Sequence, residues 1–243
     1  MKKEDIIKRL KNGETGIYAD FIEDNPDFKL YKYRLGLTRD IEALSQDKLW
    51  MGCAANMDDV YDCGFQTAEN WPLLYLLMCE SEPKFLEEKY AKVMFKGGEV
   101  FQREMYVCSF GETPTNEDLW TRYADRHHGF CVEYSVRSLI EKRLVPLPVS
   151  YGDIKKSIVD FSDKIATMFD IFLVKDEEEW GQQAEWRILK WYNNLDIQPG
   201  EAGKLVEAPR PTALICGKCA SKELNNALIR LATLFKIALV EEV

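Results

Sequence analysis

The sequence predicts an α+β fold: a single domain with mixed or antiparallel sheets and a helical segment at its N-terminus. Three observations support this prediction. Apolar residues make up 46% and aromatic residues 12% of the 243 positions, as in ordinary globular domains. Segments with two-residue and 3.6-residue hydrophobic periods are interleaved along the chain, and no repeat, linker or low-complexity stretch divides it. We therefore expect helical decoration over residues 1–28 and one α+β domain over residues 29–243.

Short helices and strands alternate in the first half of the chain. Periodicity and turn residues predict strands at residues 29–35 and 48–51, and helices at residues 2–12, 16–22, from a cap at Thr38, 68–77 and 83–95. In the strand at residues 29–35, Lys32 and Arg34 share one face with Leu30, and Tyr33 lies on the other face with Tyr31.

The second half continues the same pattern. The predicted helices run from a cap at Thr115, carrying Trp120 and Tyr123, and over residues 154–172 and 221–234. The predicted strands lie at residues 102–110, 130–134, 145–151, 213–216 and 236–241. Prolines in the strand at residues 145–151 predict a place at the edge of a sheet.

One stretch, residues 180–192, combines acid, amide and guanidinium groups with a strand-like pattern. If it is a strand throughout, Gln183, Glu185 and Arg187 share one face, with roughly 6.5 to 7 Å between successive members. Such a row is costly to bury unless its groups are paired or bind a ligand. The alternative is an exposed strand face whose Glu–Arg pair contributes little stability.

Charge and hydropathy narrow the functional classes. The formal net charge of −9 disfavours a protein that binds nucleic acid non-specifically through its phosphates. The first residues contain no apolar core typical of a signal peptide, and the longest apolar run, residues 71–79, is too short to cross a bilayer. We expect a cytoplasmic protein that does not contact membranes.

Cysteine and histidine give weak signals. The seven cysteines are expected to be reduced thiols in such a compartment, and the single Cys216-x-x-Cys219 pair is read as structural, with a redox motif as the alternative. His127 and His128 are adjacent and point apart, so they do not favour a shared metal site or nucleophilic catalysis.

Several motifs, in this order, resemble a bacterial family of unknown function related to abortive phage-infection proteins of the AbiG type. They are Leu-Tyr-Lys-Tyr-Arg34, Leu-Trp50, Asp58-Asp-Val-Tyr-Asp-Cys63, Val-Cys-Ser-Phe110, Leu-Trp-Thr-Arg-Tyr-Ala-Asp125, His128-Gly-Phe-Cys-Val-Glu-Tyr134 and the block from Trp180 to Arg187. The family's turn usually reads Asn-Asp-Pro-Phe/Tyr-Asp, and its later block carries Glu-x-Glu. Here the turn reads Asp58-Asp-Val-Tyr-Asp62 and the block reads Gln183-Ala-Glu185.

The order of an Arg on a first strand, a Ser-bearing strand and Gln-x-Glu late in the chain is also similar to ADP-ribosyltransferases of the Arg–Ser–Glu type. This resemblance implies an NAD-binding cleft in which Arg34 contacts a phosphate or ribose and Ser109 supports the second strand. It implies that Glu185 hydrogen-bonds the nicotinamide ribose and that Gln183 orients the acceptor. Tyr33, Trp50 and Tyr123 would be further cofactor-binding residues, since aromatic rings stack on nicotinamide or a base.

The chemistry gives reasons for these residue types. Cleavage of the nicotinamide–ribose bond develops an oxocarbenium-like centre, which a carboxylate stabilises, and a guanidinium suits bidentate contact with pyrophosphate. An amide at Gln183 favours an amide or nucleobase amine as acceptor, whereas a carboxylate would suit arginine. Trp180 and Trp186 are additional aromatic candidates.

The leading hypothesis is therefore an NAD-dependent mono-ADP-ribosyltransferase that modifies RNA, DNA or protein as a toxin or effector in anti-phage defence, without a metal. An antitoxin or chaperone-type partner would keep it silent. On this hypothesis, Glu185→Gln should abolish transfer and leave the fold intact. One alternative is a metal-dependent nuclease built from Asp58, Asp59, Asp62 and Glu185 near Lys190. Another is a non-catalytic sensor or interaction module.

Overall fold

Two β-sheets with helices around them form the frame of the protein. The structure, a computed structural model, describes residues 1–57, 63, 103–152, 172–192 and 202–241. In chain order the helices are α1 Lys3–Lys11, α2 Ile17–Asp24, α3 Thr38–Ser45, α4 Glu117–Tyr123, α5 Val136–Glu141, α6 Glu177–Trp180 and α7 Lys222–Phe235. The strands are β1 Lys29–Arg34, β2 Lys48–Cys53, β3 Met105–Phe110, β4 Phe130–Ser135, β5 Pro146–Pro148, β6 Ser150–Tyr151, β7 Val174–Lys175, β8 Trp186–Trp191, β9 Gly203–Glu207, β10 Ala213–Cys216 and β11 Ala238–Glu241.

The strands form mixed and antiparallel sheets. A four-stranded sheet has the order β1-β4-β10-β11, a five-stranded sheet has the order β5-β8-β3-β2-β9, and β6 pairs with β7. All pairs are antiparallel except β10 with β11 and β6 with β7. The predicted α+β class is confirmed, and so is the edge position of the Pro-bearing strand, β5.

A backbone bridge joins the two large sheets. Tyr31 of β1 and Gly111, just after β3, exchange two N–H···O hydrogen bonds of 2.9 Å. A Cβ atom at position 111 would lie 2.5 Å from the Leu119 side chain, so glycine keeps this junction close to α4. The bridge fixes β1 and β3 side by side, which defines where a cleft between the sheets can form.

One large hydrophobic core joins both sheets to the helices. Helix α7 buries Leu224, Leu228, Leu231 and Phe235, whose three- and four-residue spacing gives one apolar face. Ser221 caps this helix by accepting a hydrogen bond from the Leu224 amide at 3.1 Å.

The N-terminal helices contribute to the same core. Ile6 of α1 and Ile17 and Phe21 of α2 are buried in it. The Phe21 ring packs at 5.7 Å from that of Trp186, the first residue of β8. The helices of residues 1–28 therefore complete the packing of the five-stranded sheet.

Element bounds differ from the sequence prediction mainly at caps. Thr38 is the first residue of α3 and not its cap. Helix α4 is capped by Asn116 rather than Thr115, because the Asn116 side chain accepts a hydrogen bond from the Leu119 amide at 3.1 Å. Strand β3 begins at Met105, three residues after the predicted start. The predicted helices at residues 68–77 and 83–95, and nearly all of that at residues 154–172, lie outside the described residues.

Within the described ranges, no helix has the length and apolar character needed to cross a membrane.

The packing of α1 makes a testable prediction. Ile6 is 0% exposed in the main core, so we expect Ile6→Ala to lower the free energy of unfolding by about 2–5 kcal/mol, measured by urea denaturation. Ile229→Ala on α7 is the control: Ile229 is 45% exposed, and its truncation should cost about 0.5 kcal/mol or less. Equal, small effects would mean that residues 1–28 are peripheral to the core.

Candidate functional site

A cavity of about 220 Å³ lies where the two sheets meet. Its walls come from β1, β2, β3, α4 and the segment around α6 and the start of β8. It contains all seven side chains that the sequence singled out for a site, which are Tyr33, Arg34, Trp50, Ser109, Tyr123, Gln183 and Glu185. Residues separated by up to 152 positions in the chain therefore share one cavity.

Glu185 is held in a buried ion cluster. Its Oε1 accepts from Arg187 Nε at 2.7 Å, and its Oε2 accepts from Arg187 Nη2 at 3.2 Å and from Lys175 Nζ at 3.3 Å. All three residues are at most 4% exposed. The alternative of a solvent-exposed strand face with a weak Glu–Arg pair is therefore wrong.

The ion cluster keeps Glu185 negatively charged. Burial by itself would raise the pKa of this carboxyl, but the charges of Arg187 and Lys175, with hydrogen bonds from Arg187 and Ser109, lower the pKa to about 2. The cavity thus contains a fixed carboxylate at neutral pH. Such a group can stabilise a developing positive charge or accept a hydrogen bond from a ligand hydroxyl.

A turn, and not a strand, positions this carboxylate. Gln183 ends a 3₁₀ turn and Ala184 has a left-handed backbone with φ of 45°, so β8 begins only at Trp186. The prediction that Gln183, Glu185 and Arg187 form one row on a strand is therefore wrong, because Gln183 lies in the turn, Glu185 precedes β8 and only Arg187 is on the strand. The turn nevertheless places the Gln183 side chain at the same cavity.

The backbone of Glu185 is fixed on both sides. Its amide donates to Tyr151 Oη at 2.7 Å. Its carbonyl accepts from the Val149 amide at 3.0 Å and from Lys3 Nζ of α1 at 3.1 Å. The position of the carboxylate therefore depends on β6 and on the N-terminal helix.

Gln183 is oriented by α4. Its Nε2 donates to Asp118 Oδ2 at 2.9 Å, and Asp118 Oδ1 in turn accepts from Arg122 Nε at 2.7 Å. Since a carboxylate only accepts hydrogen bonds, the amide nitrogen must face Asp118. The Gln183 carbonyl oxygen is thereby left as the group that can accept from a ligand N–H.

Arg34 ends β1 at the cavity. A Cβ atom at position 129 would lie 2.0 Å from the Arg34 carbonyl oxygen, so only glycine allows the start of β4 to approach the end of β1 this closely. Arg34 Nη1 lies 3.9 Å from Asp40 Oδ1 of α3. A guanidinium held this loosely keeps donors for a ligand anion.

The aromatic candidates take different positions. Tyr33 is buried and its hydroxyl donates to the Thr113 carbonyl at 2.6 Å, whereas Trp50 is 37% exposed at the cavity wall. Trp180 lines the cavity with Lys175 Nζ 4.1 Å from its ring centroid, and its Nε1 is the one buried side-chain polar atom without a partner among the described residues. Trp186 is a core residue that does not line the cavity.

Two lysines in the cavity were not predicted as site residues. Lys32 shares its face of β1 with Arg34, a signal that the alternation of the strand contained. Lys175 on β7 lacks any motif in the sequence and reaches the cavity only through the fold. With Arg34 they place three cations around one carboxylate, so the cavity favours an anionic ligand, and its aromatic walls favour a planar one.

Of the other sequence candidates, Lys190 is described by the structure and is not brought to the cavity. Asp58, Asp59 and Asp62 lie outside the described residues, and the described part of the chain contains no grouping of acids, histidines and cysteines that could hold a metal ion. Lys190 pairs with Tyr106 in the sheet register and does not line the cavity.

The histidines and the Cys-x-x-Cys pair also lie elsewhere. His127 is buried, with Nε2 2.8 Å from Glu117 Oε1 and its ring stacked on Trp120. Cys216 and Cys219 are free thiols, and burial raises the pKa of Cys216, which disfavours a reactive thiolate.

Comparisons of this chain with models of protein families, with curated proteins and with solved structures give no significant match.

The buried ion cluster predicts that Glu185→Gln destabilises the fold, contrary to the expectation from the sequence that the change affects activity alone. The change leaves Arg187 and Lys175 without their carboxylate, so we expect a loss of about 3–5 kcal/mol in the free energy of unfolding at neutral pH. Asp47→Asn is the control. It removes an exposed pair with Arg210 at 3.3 Å and should cost at most about 1 kcal/mol. Similar losses in the free energy of unfolding for the two variants would argue against a buried ion cluster at Glu185.

The stabilisation contributed by the ionised Glu185 carboxylate depends on pH in a defined direction. The carboxyl pKa is about 2 in the folded protein against an ordinary value of 4.5. The stabilisation is therefore fully present above the ordinary pKa and is lost as the pH falls toward the folded-state value. We expect the stability difference between wild type and Glu185→Gln to be constant near neutrality and to shrink below about pH 4.5, measured by urea unfolding. A difference that grows on acidification would contradict an ionised Glu185.

Proposed function

We propose that the protein is an NAD-dependent mono-ADP-ribosyltransferase that modifies a macromolecule, and that it acts in the cytoplasm as an effector of anti-phage defence. The observation that carries the proposal is the convergence of Arg34, Ser109, Gln183 and Glu185 on one aromatic-walled cavity. These are the residues that the resemblance to Arg–Ser–Glu transferases selects. The hypothesis requires these four side chains to lie at one site, although they are far apart in the sequence.

The electrostatics of the cavity suit the reaction. Loss of nicotinamide leaves an oxocarbenium-like ribose, and the ionised Glu185 would stabilise that charge more than the ground state. Arg34 would bind the pyrophosphate, and the rings of Tyr33, Tyr123 and Trp180 would line the nicotinamide.

The size of the cavity suits part of the dinucleotide. Sites for drug-sized ligands commonly measure ~300–1,000 Å³, and this cavity measures about 220 Å³. It would therefore hold only part of NAD, the nicotinamide ribose that contains the bond to be broken, with the adjoining phosphates at Arg34.

One protein donor must yield to the substrate. The Glu185 carboxylate already accepts from Arg187 twice, from Lys175 and from Ser109, and a carboxylate offers about four acceptor positions. A ribose hydroxyl would therefore replace one donor, either the Ser109 hydroxyl or the Lys175 ammonium.

The acceptor would carry an N–H group. With its nitrogen bound to Asp118, the Gln183 amide presents its oxygen to the incoming nucleophile and would accept a hydrogen bond from it. A protein amide or a nucleobase amine, most plainly on RNA, meets this requirement. An enzyme that modifies such targets in its own cell would need an antitoxin or chaperone-type partner to hold it inactive.

The test is transfer from NAD by a variant that keeps the ion cluster. Glu185→Asp retains the charge and withdraws the carboxylate by about 1 Å, so we expect kcat for nicotinamide release to fall about 100-fold, with a thermal stability between those of wild type and Glu185→Gln. Glu207→Asp, at an exposed position of β9 outside the cavity, is the matched control and should keep full activity.

Mass spectrometry of RNA and protein from expressing cells should then find an added ADP-ribose with wild type and much less with Glu185→Asp. Wild-type protein that neither releases nicotinamide nor marks any macromolecule would overturn the proposal.

A further inference from the structure

We propose that Lys32 is a second binding residue for a phosphate-bearing ligand, and that Lys32 and Arg34 together bind the diphosphate of a nucleotide. The inference deepens the proposed function, since NAD contains such a diphosphate, but it rests on the cavity and can be tested without turnover. Nothing in the resemblance to the two families assigns a role to Lys32.

The two cations form a row along β1. They are two positions apart on one strand, so they project from the same face with roughly 6.5 to 7 Å between their Cα atoms. Both line the cavity. Two adjacent phosphates of a diphosphate can each meet one cation in such a row.

Within the described ranges, Lys32 has no carboxylate in ion-pair contact, unlike Lys175 and Arg34. Its Nζ donates to the Ser109 carbonyl at 2.8 Å, and it lies 5.9 Å from the centroid of the Phe110 ring. Among the described residues no carboxylate forms an ion pair with it. By contrast, Lys175 Nζ lies 3.3 Å from Glu185, and Arg34 Nη1 lies 3.9 Å from Asp40.

A half-buried ammonium that no carboxylate of the described residues contacts directly is costly to desolvate. Burial lowers the pKa of Lys32 and the nearby charge of Arg34 acts in the same direction, whereas Cys108 and the Glu185 carboxylate act in the opposite direction. An anionic ligand in direct contact with Lys32 would offset the remaining cost of burial. The ligand, and not the fold, would then account for a lysine at this position.

The walls next to Lys32 indicate a nucleotide. Tyr31 and Phe110 flank it at the cavity surface, and Phe110 lies under its ammonium. Aromatic walls bind a planar base or nicotinamide ring, and the cation row binds the attached phosphates. A nucleoside diphosphate unit combines both features.

The experiment is titration calorimetry of the full chain with ADP and with adenosine, which differ only in the diphosphate. We expect ADP to bind more tightly than adenosine, and Lys32→Met to weaken ADP binding at least 10-fold while leaving adenosine binding unchanged. Lys29→Met is the matched control. Lys29 is on the same strand and pairs with Glu133 at 3.8 Å, but it does not line the cavity. Its removal should leave ADP binding at the wild-type value.

A thermal melt separates a binding defect from a folding defect. Replacing an unpaired interior charge by an apolar side chain of similar volume is often neutral or stabilising, so unliganded Lys32→Met should melt at or above the wild-type temperature, and ADP should no longer raise it. If Lys32→Met fails to fold, Lys32→Gln provides the same test. Equal affinity for ADP and adenosine, or equal losses in the Lys32 and Lys29 variants, would overturn the inference.

The outcomes for the two proposals differ. ADP binding that depends on Lys32 in a protein that releases no nicotinamide would support this inference and contradict the transferase. Nicotinamide release by the wild-type protein, with an unchanged KM for NAD in Lys32→Met, would support the transferase and contradict this inference.

Discussion

The buried ion pair of Glu185 and Arg187 is the constraint on which the rest of the site depends. Arg187 is 0% exposed and also donates to the Phe172 carbonyl at 2.8 Å and to Cys63 Sγ at 3.5 Å. One guanidinium therefore connects β8 to two distant segments and holds the carboxylate of Glu185 at the cavity, the only one that the described residues contribute to its lining. Because desolvation of both charges is expensive, such a pair adds less stability than well-packed apolar residues would. The pair fixes the position of the Glu185 carboxylate and keeps it ionised.

The rest of the cavity follows from how the two sheets are joined. Each sheet is complete through its own hydrogen bonds, and the bridge between Tyr31 and Gly111 sets β1 beside β3. Polar side chains from both strands then face the space between them, and α4 and the 3₁₀ turn close one side. Aromatic rings form the walls without filling the space. A polar floor with planar apolar walls is the usual construction of a site for a flat, charged ligand.

Much of this architecture could be predicted from local sequence patterns. Strands β1, β4 and β10 and helix α7 have alternation or spacing that needs no tertiary information. The caps were harder to predict, since Thr115 and Asn116 are adjacent and both have a side-chain oxygen that could cap α4, and the fold shows that Asn116 does so. The segment before β8 was mispredicted because a left-handed Ala184 has no signature in sequence. Lys175 could not be found at all, because its role comes from a two-stranded pairing of β6 with β7 that no periodicity indicates.

The contact between Lys3 and the carbonyl of Glu185 spans 182 positions of the chain. During synthesis the first helix leaves the ribosome long before β8 exists, so it must wait for most of the polypeptide before this hydrogen bond can form. A nascent or prematurely terminated chain that lacks β8 therefore has no finished cavity, whatever the state of its earlier strands.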